Sequence, residues 1–301
     1  MRKLGIGRIL RNIYRSESGR LQPVRLTARV LRCQLWRTFL RVPMRFRTVT
    51  GPKLTLVPGA SDSISEFWYH QVPDFEELAF ALHILNPGDL FVDVGANQGG
   101  WTIMVAGRGA RVIAFEPIPP TVDRLYANVL ANPEIAQQIE VRPIGLGDRY
   151  GNATFIADLD TGNRLVSNGE ETNRKTITIH IEPDDDALRS VDPKFIKVDV
   201  EGAELAFLRG CRETLAKQHL CALVMETFRP ANYSSPALIE AEAILRGFGF
   251  VPMAYHPWTR ELTPLLNPYD GKQNTIYVRN PDSLSRSLKL ATPLRVFGKD
   301  L

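Results

Sequence analysis

The sequence predicts a doubly wound α/β domain built on a mostly parallel sheet of seven strands. From residue 90 onward, short apolar segments alternate with amphipathic segments of about 10–14 residues, which is typical of repeated strand–helix units. Each of the main apolar segments ends in an acidic residue, as expected where ligand-binding groups stand at the carboxyl edge of a parallel sheet. The composition, with 44% hydrophobic and 23% charged residues, excludes an intrinsically disordered chain.

The elements can be predicted in chain order from hydrophobic periodicity and turn residues. A hairpin over 45–57 turns at Gly51-Pro52 and is followed by a helix over 74–85. Seven sheet strands are predicted at 90–94, 111–115, 139–144, 195–200, 221–225, 250–255 and 275–278. Helices are predicted at 101–106, 121–130, 203–216 and 237–246, and an inserted antiparallel pair at 153–157 and 176–181.

Positive charge is concentrated at the N-terminus. Residues 1–50 hold 13 Lys or Arg and one acidic residue, a net charge of +12, whereas the whole chain carries +4 and the remainder therefore −8. An acidic domain argues against a nucleic-acid partner. We therefore predict a basic helical arm over 1–44, one domain over 45–280 and a loose C-terminal tail over 281–301.

The arm interleaves arginine with aliphatic residues at helical spacing, so its function has three possible interpretations. It can lie on a membrane surface through residues 1–42, serve as an arginine-rich transit peptide, or remain solvated or packed on the domain. Its apolar runs are shorter than the roughly 18–20 residues that span a bilayer. Three cysteines without a CxxC pair favour a reducing compartment, so we expect a cytoplasmic protein, peripheral to a membrane if the first interpretation holds.

A glycine loop follows the first core strand, with the sequence Asp93-Val-Gly95-Ala-Asn97-Gln-Gly99-Gly100. Glycines allow the backbone to turn sharply into a helix and to approach a ligand closely. The loop lacks the GxGxxG pattern of a dinucleotide site, and the Asp93 carboxylate would repel a pyrophosphate. It would suit a cationic amine or sulfonium instead.

Glu116 ends the second strand, where a carboxylate can accept hydrogen bonds from ribose hydroxyls. A ribose, a positive centre and no phosphate together describe S-adenosylmethionine (SAM), which we predict as the cofactor. Asp93, Gly95, Asn97, Gly99 and Glu116 are the corresponding candidate residues. The alternatives are an NAD-dependent dehydrogenase and a membrane-docked scaffold that retains a non-catalytic nucleotide pocket.

Four segments resemble the FkbM family of class I SAM-dependent methyltransferases: DVGANQGGWT from Asp93, AFEPIP from Ala114, LGD from Leu146 and IKVDVEGAE from Ile196. The match extends from about residue 61 to 278 and includes Asn128 and Leu208-Arg-Gly. Gln98-Gly99-Gly100 departs from the Ile-Gly-Tyr that the family often carries. The resemblance implies a Rossmann-like fold and methylation of a hydroxyl on a sugar, polyketide or glycolipid. Leu146 and Asp148 are expected to border the adenine.

An alcohol must lose a proton as it attacks a methyl group, so a general base is expected. Asp199 and Glu201 end the fourth core strand and are the candidate catalytic residues; their alternative roles are binding the methionine amino group and capping the next helix. Glu226 and His256, at the ends of the next two strands, are candidate contacts for a small or lipid-linked hydroxyl substrate. The scattered histidines and the absence of HExxH predict no metal site.

Overall fold

A computed structural model describes residues 22–40, 42–58, 63–156, 173, 175–227, 236–266 and 274–301. Before the main sheet come helix α1 (Pro23–Leu35), continued by a wider helical turn over Trp36–Leu40, and the hairpin of β1 (Met44–Arg47) and β2 (Lys53–Leu56). Helices α2 (Ser63–His70) and α3 (Phe75–Ile84) follow. The predicted hairpin and the predicted helix over 74–85 are therefore present.

The remaining elements alternate between strand and helix. They are β3 (Leu90–Val94), α4 (Gly100–Ala106), β4 (Arg111–Phe115), α5 (Pro119–Leu130), α6 (Pro133–Ala136), β5 (Ile139–Arg142), β6 (Gly145–Gly147), β7 (Gly151–Ile156), β8 (Thr176–Pro183), α7 (Asp184–Leu188), β9 (Phe195–Val198), α8 (Glu204–Gly210), α9 (Arg212–Ala216), β10 (Ala222–Glu226), α10 (Pro236–Gly247), β11 (Val251–His256), β12 (Glu261–Pro264) and β13 (Asn274–Val278). The chain ends with α11 (Pro281–Lys289), β14 (Arg295–Val296) and β15 (Lys299–Asp300).

The main sheet has the strand order β12-β11-β13-β10-β9-β3-β4-β5. The five strands from β10 to β5 are parallel, and β13 runs antiparallel between β10 and β11. The predicted doubly wound α/β class is confirmed, with seven strands as expected. Residues 261–264 add an eighth strand at the edge, β12, because the turn after His256 brings the chain back along β11.

The strand residues of β3 alternate between two hydrophobic clusters, one on each face of the sheet. Phe91 packs with residues of α1, α3, α4, α5 and α11, while Val92 and Val94 pack with residues of α7 to α10. This alternation with period two is the direct consequence of strand geometry. It fixes β3 at the centre of the fold, with its carboxyl end at the edge where the glycine loop begins.

The inserted antiparallel pair forms as predicted, but in a separate sheet of three strands with the order β6-β8-β7. The single helix predicted over 203–216 is divided into α8 and α9 at Cys211. A side chain at Gly210 would place its Cβ 2.1 Å from the carbonyl oxygen of Gly147 in β6. Gly210 therefore allows α8 to lie directly against the small sheet, and the helical periodicity predicted for 203–216 could not reveal this contact.

The C-terminal segment is not the loose tail that the sequence predicted. Leu284 and Leu288 of α11 and Val296 and Leu301 of the final hairpin are buried in the core cluster of α1 and α3. The Gln22 side chain donates a hydrogen bond to the Phe297 carbonyl over 3.1 Å, which ties the start of α1 to this hairpin. The apolar residues in 281–301 are widely spaced and form no clear periodic pattern. Their burial in the core could therefore not be predicted from the sequence.

Candidate functional site

The carboxyl ends of β3, β4, β9 and β10 border one open cleft with a volume of about 1170 Å³. This volume exceeds the range of about 300–1,000 Å³ that is common for a single small ligand. The lining includes most of the predicted site residues: Asp93, Gly95, Asn97, Glu116, Leu146, Asp148, Asp199, Glu201 and Glu226. The cleft therefore brings the acidic strand ends together and has room for two ligands side by side.

Gly95 begins the glycine loop with a positive φ of 79°. A Cβ atom built on Gly95 would lie 1.8 Å from the backbone carbonyl oxygen of Asp199. Only glycine allows this contact, because the obstructing atom belongs to backbone that cannot rotate away. The loop is thereby fixed against the end of β9, which carries the candidate catalytic residues.

Gly99 also has a positive φ, of 84°, but it is not among the cleft-lining residues. A Cβ there would meet the Leu125 side chain of α5 at 2.4 Å. Gly99 therefore provides the turn into α4 and space for the packing of that helix, between Gln98 and Gly100, which do line the cleft; its contact with the cofactor stays a prediction. Gly100 leaves room for the Phe67 ring of α2, whose carbon atoms would lie 2.3 Å from an added Cβ.

The Glu116 carboxylate is held in the cleft wall by two backbone donors. The Asn97 amide donates to one carboxylate oxygen over 2.9 Å, and the Ile118 amide donates to the other over 3.0 Å. Burial raises the pKa of Glu116 to about 7, against the lowering effect of these two hydrogen bonds. Each oxygen keeps one lone pair that can accept a further hydrogen bond, as recognition of a ribose would need.

Asp93 lies at the floor of the cleft and is fully buried. One carboxylate oxygen accepts a hydrogen bond from the Thr102 hydroxyl over 2.6 Å, and the other lies 3.9 Å from the Lys197 ammonium. Burial raises the pKa of Asp93, and Lys197 opposes that effect. Asp93 and Glu116 thus border one cleft, as the cofactor prediction requires, although Asp93 does so from beneath its surface.

Lys197 is a site residue that the sequence reasoning missed. Its ammonium lies 3.0 Å from an Asp199 carboxylate oxygen and 5.7 Å from the centre of the Trp101 ring. Burial alone would lower the pKa of Lys197, but Asp199 and Asp93 together raise it above its usual value. Lys197 is therefore a permanent cation that orients Asp199 and cannot itself accept a proton. The one available signal was its position two residues before Asp199 in a buried strand.

Asp74, just before α3, is a second residue that sequence reasoning did not single out. Its carboxylate accepts a hydrogen bond from the Trp101 indole N–H over 3.2 Å and lines the cleft. Burial raises the pKa of Asp74, while Lys197 lowers it. In the sequence Asp74 is indistinguishable from an ordinary helix-capping residue.

Three carboxyl groups form a cluster at the ends of β9 and β10. Each of Asp199, Glu201 and Glu226 places an oxygen within 4.8 Å of the other two. Glu201 has a positive φ of 50°, in the left-handed region that non-glycine residues rarely adopt. Burial raises the pKa of Glu226 to about 8, with added effects from Asp199, Glu201 and Glu204 in that order. At neutral pH the Glu226 carboxyl therefore holds its proton most of the time.

His256 does not join this cluster. It is exposed at the end of β11 and is not among the residues that line the cleft. Strand β13 lies between β10 and β11 and separates His256 from Glu226, so the substrate contact at His256 stays a prediction. The loops at 228–235 and 267–273, which follow neighbouring strands, lie outside the described residues.

The acidic cluster is also where a divalent cation could be held, and we predict that none is needed. Asp199 is already paired with the Lys197 ammonium, which offsets part of the negative charge that a cation would need. We expect incubation with EDTA followed by gel filtration to leave the rate of methyl transfer unchanged. A loss of rate that Mg²⁺ or Mn²⁺ restores would show that the cluster binds a catalytic metal.

The sheet order, the glycine loop after the central strand and the carboxylate at the next strand end together define a class I methyltransferase fold. The family described as "Methyltransferase FkbM domain" matches residues 93–252. The chain belongs to this family, which confirms the resemblance seen in the sequence.

Individual relatives agree in class at low identity. The hexuronic acid methyltransferase AglP of Haloferax volcanii is 27% identical over 189 residues, covering 58% of this chain and 74% of AglP. The methyltransferase sdnD of Sordaria araneosa is 25% identical over 223 residues, covering 62% of this chain and 82% of sdnD.

Other matches are partial. The AMB antimetabolite synthetase AmbE of Pseudomonas aeruginosa is 37% identical over 101 residues, which is 33% of this chain and only 5% of AmbE. A crystal structure of methyltransferase FkbM from Methylobacillus flagellatus is 19% identical with a TM-score of 0.45; the match covers 72% of this chain and 52% of that one.

Proposed function

We propose that this protein transfers a methyl group from SAM to a hydroxyl oxygen of a small or lipid-linked metabolite. The observation that carries the proposal is the single cleft in which Glu116, the glycine loop and the cluster of Asp199, Glu201 and Glu226 meet. The first two features fit a nucleoside without phosphate, and the third fits an acceptor that must lose a proton. SAM, when bound, supplies an activated methyl group on a sulfonium.

The residues that would hold SAM can be named from the cleft. The free lone pairs of Glu116 would accept the ribose hydroxyls, and Leu146 with Asp148 would border the adenine. Gly95 would let the loop backbone lie close to the ligand because it has no side chain. The paired charges of Asp93, Lys197 and Asp199 would provide the polar floor that a cationic ligand requires.

The carboxyl cluster would then hold and deprotonate the acceptor. Most of the rate enhancement would come from holding the hydroxyl oxygen in line with the methyl carbon, since the donor is already activated. A positioned base would add about 10²–10⁴-fold. Asp199 and Glu201 were the sequence candidates, and Glu226 joins them because burial places its pKa close to neutral pH.

We propose a class of acceptor, metabolites that carry hydroxyl groups, rather than one compound. AglP is named as a hexuronic acid methyltransferase, which supports an acceptor rich in hydroxyl groups. The net charge of −8 outside residues 1–50 makes a nucleic-acid acceptor unfavourable. The hydroxyl group is the feature that the acidic cluster would recognise.

Calorimetric titration of the full-length protein with SAM, its demethylated product and NAD tests the proposal. We expect both SAM and its product to bind, and Glu116→Gln to weaken both because one acceptor oxygen would become a donor. Glu240→Gln, an exposed change in the Arg209–Glu240 ion pair, is the matched control. Binding of NAD in place of SAM would favour a dehydrogenase, and binding of neither would favour a non-catalytic scaffold.

A further inference from the structure

Helix α1 and the turn that continues it carry two apolar faces. Leu26, Val30 and Cys33 face inward and are buried in the core of the domain. A second set of large apolar side chains remains exposed, including Val24 (82%) and Phe39 (76%). We call this set the outer face; it comprises Val24, Leu31, Leu35, Phe39 and Leu40. A helix packed on a domain normally has a polar outer side, so this face is unusual.

The outer face is a continuous stripe rather than a scatter of exposed residues. Val24, Leu31 and Leu35 are separated by seven and four positions, which places them on one side of the helix. Phe39 continues the stripe one turn further along. Contiguous apolar surface of this kind marks a binding surface for a protein or a membrane, whereas single exposed apolar residues have no such meaning.

The charges around the outer face select the partner. The sequence contains nine Lys or Arg and no Asp or Glu between Glu17 and Asp62. Arg25 and Arg32 are exposed along one border of the stripe, and Arg45 is exposed on the adjoining strand β1. An apolar stripe with arginines along its border complements a surface that is apolar inside and anionic outside. A second copy of the chain would bring like charges together.

We propose that the outer face docks on the surface of a bilayer that contains anionic lipids. The helix would lie in the interface, with its apolar stripe among the lipid chains and its arginines at the phosphates. Among the described residues, no helix is long and apolar enough to cross a membrane, so docking would occur along the surface. Helix α1 is packed on the domain through its inner side, as one interpretation of the arm expected, and the proposal assigns the membrane contact to its outer face alone.

The docking helix is directly connected to the cleft. The Arg29 side chain of α1 donates to the Trp68 carbonyl of α2 over 2.8 Å, and its guanidinium lies 4.6 Å from the centre of the Trp68 ring. Ile64 and Phe67 of the same helix line the cleft. Docking would therefore hold one wall of the cleft near the lipid surface. The acceptor would then be a lipid-linked hydroxyl, an inference that rests on the proposed function.

Sedimentation of the full-length protein with vesicles tests the docking without any substrate. We expect binding to vesicles of phosphatidylcholine mixed with phosphatidylglycerol, weak binding to phosphatidylcholine alone, and release as salt screens the arginines. Leu35→Glu/Phe39→Glu should reduce binding by roughly tenfold or more, because two carboxylates enter the apolar stripe. Leu35→Gln/Phe39→Gln should reduce it less, since only the apolar contribution is lost.

The matched control is Leu130→Glu/Leu290→Glu, which adds the same charge at exposed leucines outside α1. This control should bind vesicles nearly as well as the unaltered protein. Equal losses in both glutamate variants would overturn the proposal, because net charge alone would then explain binding. Self-association that the outer-face variants abolish, without vesicle binding, would overturn it in favour of a dimer interface. SAM titration of the same variants keeps this outcome separate from failure of the proposed function.

Discussion

Glu226→Gln is expected to lower the kcat of methyl transfer by about 10²–10⁴-fold while SAM affinity stays nearly unchanged. Glu226 ends β10 with a carboxyl oxygen within 4.8 Å of Asp199 and Glu201, and burial raises its pKa to about 8. A base with a pKa near the working pH combines a useful ionised fraction with a strong affinity for the proton. Glutamine keeps the size of the side chain and removes the capacity to accept a proton, while one oxygen is replaced by an NH2 donor.

The pH dependence gives an independent measurement of the same group. Because burial raises the pKa, Glu226 is protonated and inactive as a base below about pH 8. The kcat of the unaltered protein at saturating SAM, where the ionisation of Glu116 in SAM binding does not contribute, should therefore increase tenfold per pH unit below the pKa and level off above it. In Glu226→Gln this ionisation should disappear from the profile, whatever the remaining rate.

Parallel variants decide between the three carboxyl groups. Asp199→Asn breaks the ion pair with Lys197 and should weaken SAM binding as well as kcat, since the ammonium would lose its nearest carboxylate and keep only Asp93 at 3.9 Å in the floor of the cleft. Glu201→Gln should have a smaller effect, because Glu201 is exposed at the rim. If Glu201→Gln lowers kcat more than Glu226→Gln and removes the pH-dependent ionisation, Glu201 is the base instead.

The sheet and the cleft were predictable because they depend on local patterns. The apolar segments at 90–94 and 111–115 match β3 and β4 residue for residue, since a strand buried on both faces has an unmistakable composition. Strand ends of a parallel sheet share one edge, so Asp93, Glu116 and Glu226 could be placed together from the sequence.

The sequence could not reveal what depends on contacts between distant residues. The contact of Lys197 with Asp93 is known only once β9 lies beside β3, and Asp74 enters the cleft only because α3 packs near Trp101. The C-terminal hairpin was misjudged for the same reason, because its isolated apolar residues find their core at α1 and α3. Counting strand ends also did not reveal that the antiparallel β13 lies between the strands that carry Glu226 and His256.

Gly95→Ala is expected to lower the free energy of unfolding by about 2–4 kcal/mol and to weaken SAM binding more than tenfold. An alanine Cβ would lie 1.8 Å from the Asp199 carbonyl oxygen, so the loop and the end of β9 would have to separate. The positive φ of 79° adds a smaller cost of about 1 kcal/mol. Denaturant unfolding and calorimetric titration with SAM measure the two effects.

Gly88→Ala is the matched control, because Gly88 precedes the same strand with a φ of 88° and nothing within 4 Å of an added Cβ. Alanine at position 88 would have the same unfavourable positive φ but no steric clash. The variant should therefore lose only about 1 kcal/mol of unfolding free energy and bind SAM normally. The difference between the two variants measures the contact between the glycine loop and β9. Equal stability and equal SAM affinity of the two variants would mean that the loop does not rest on Asp199, and the arrangement of the carboxyl cluster would need another explanation.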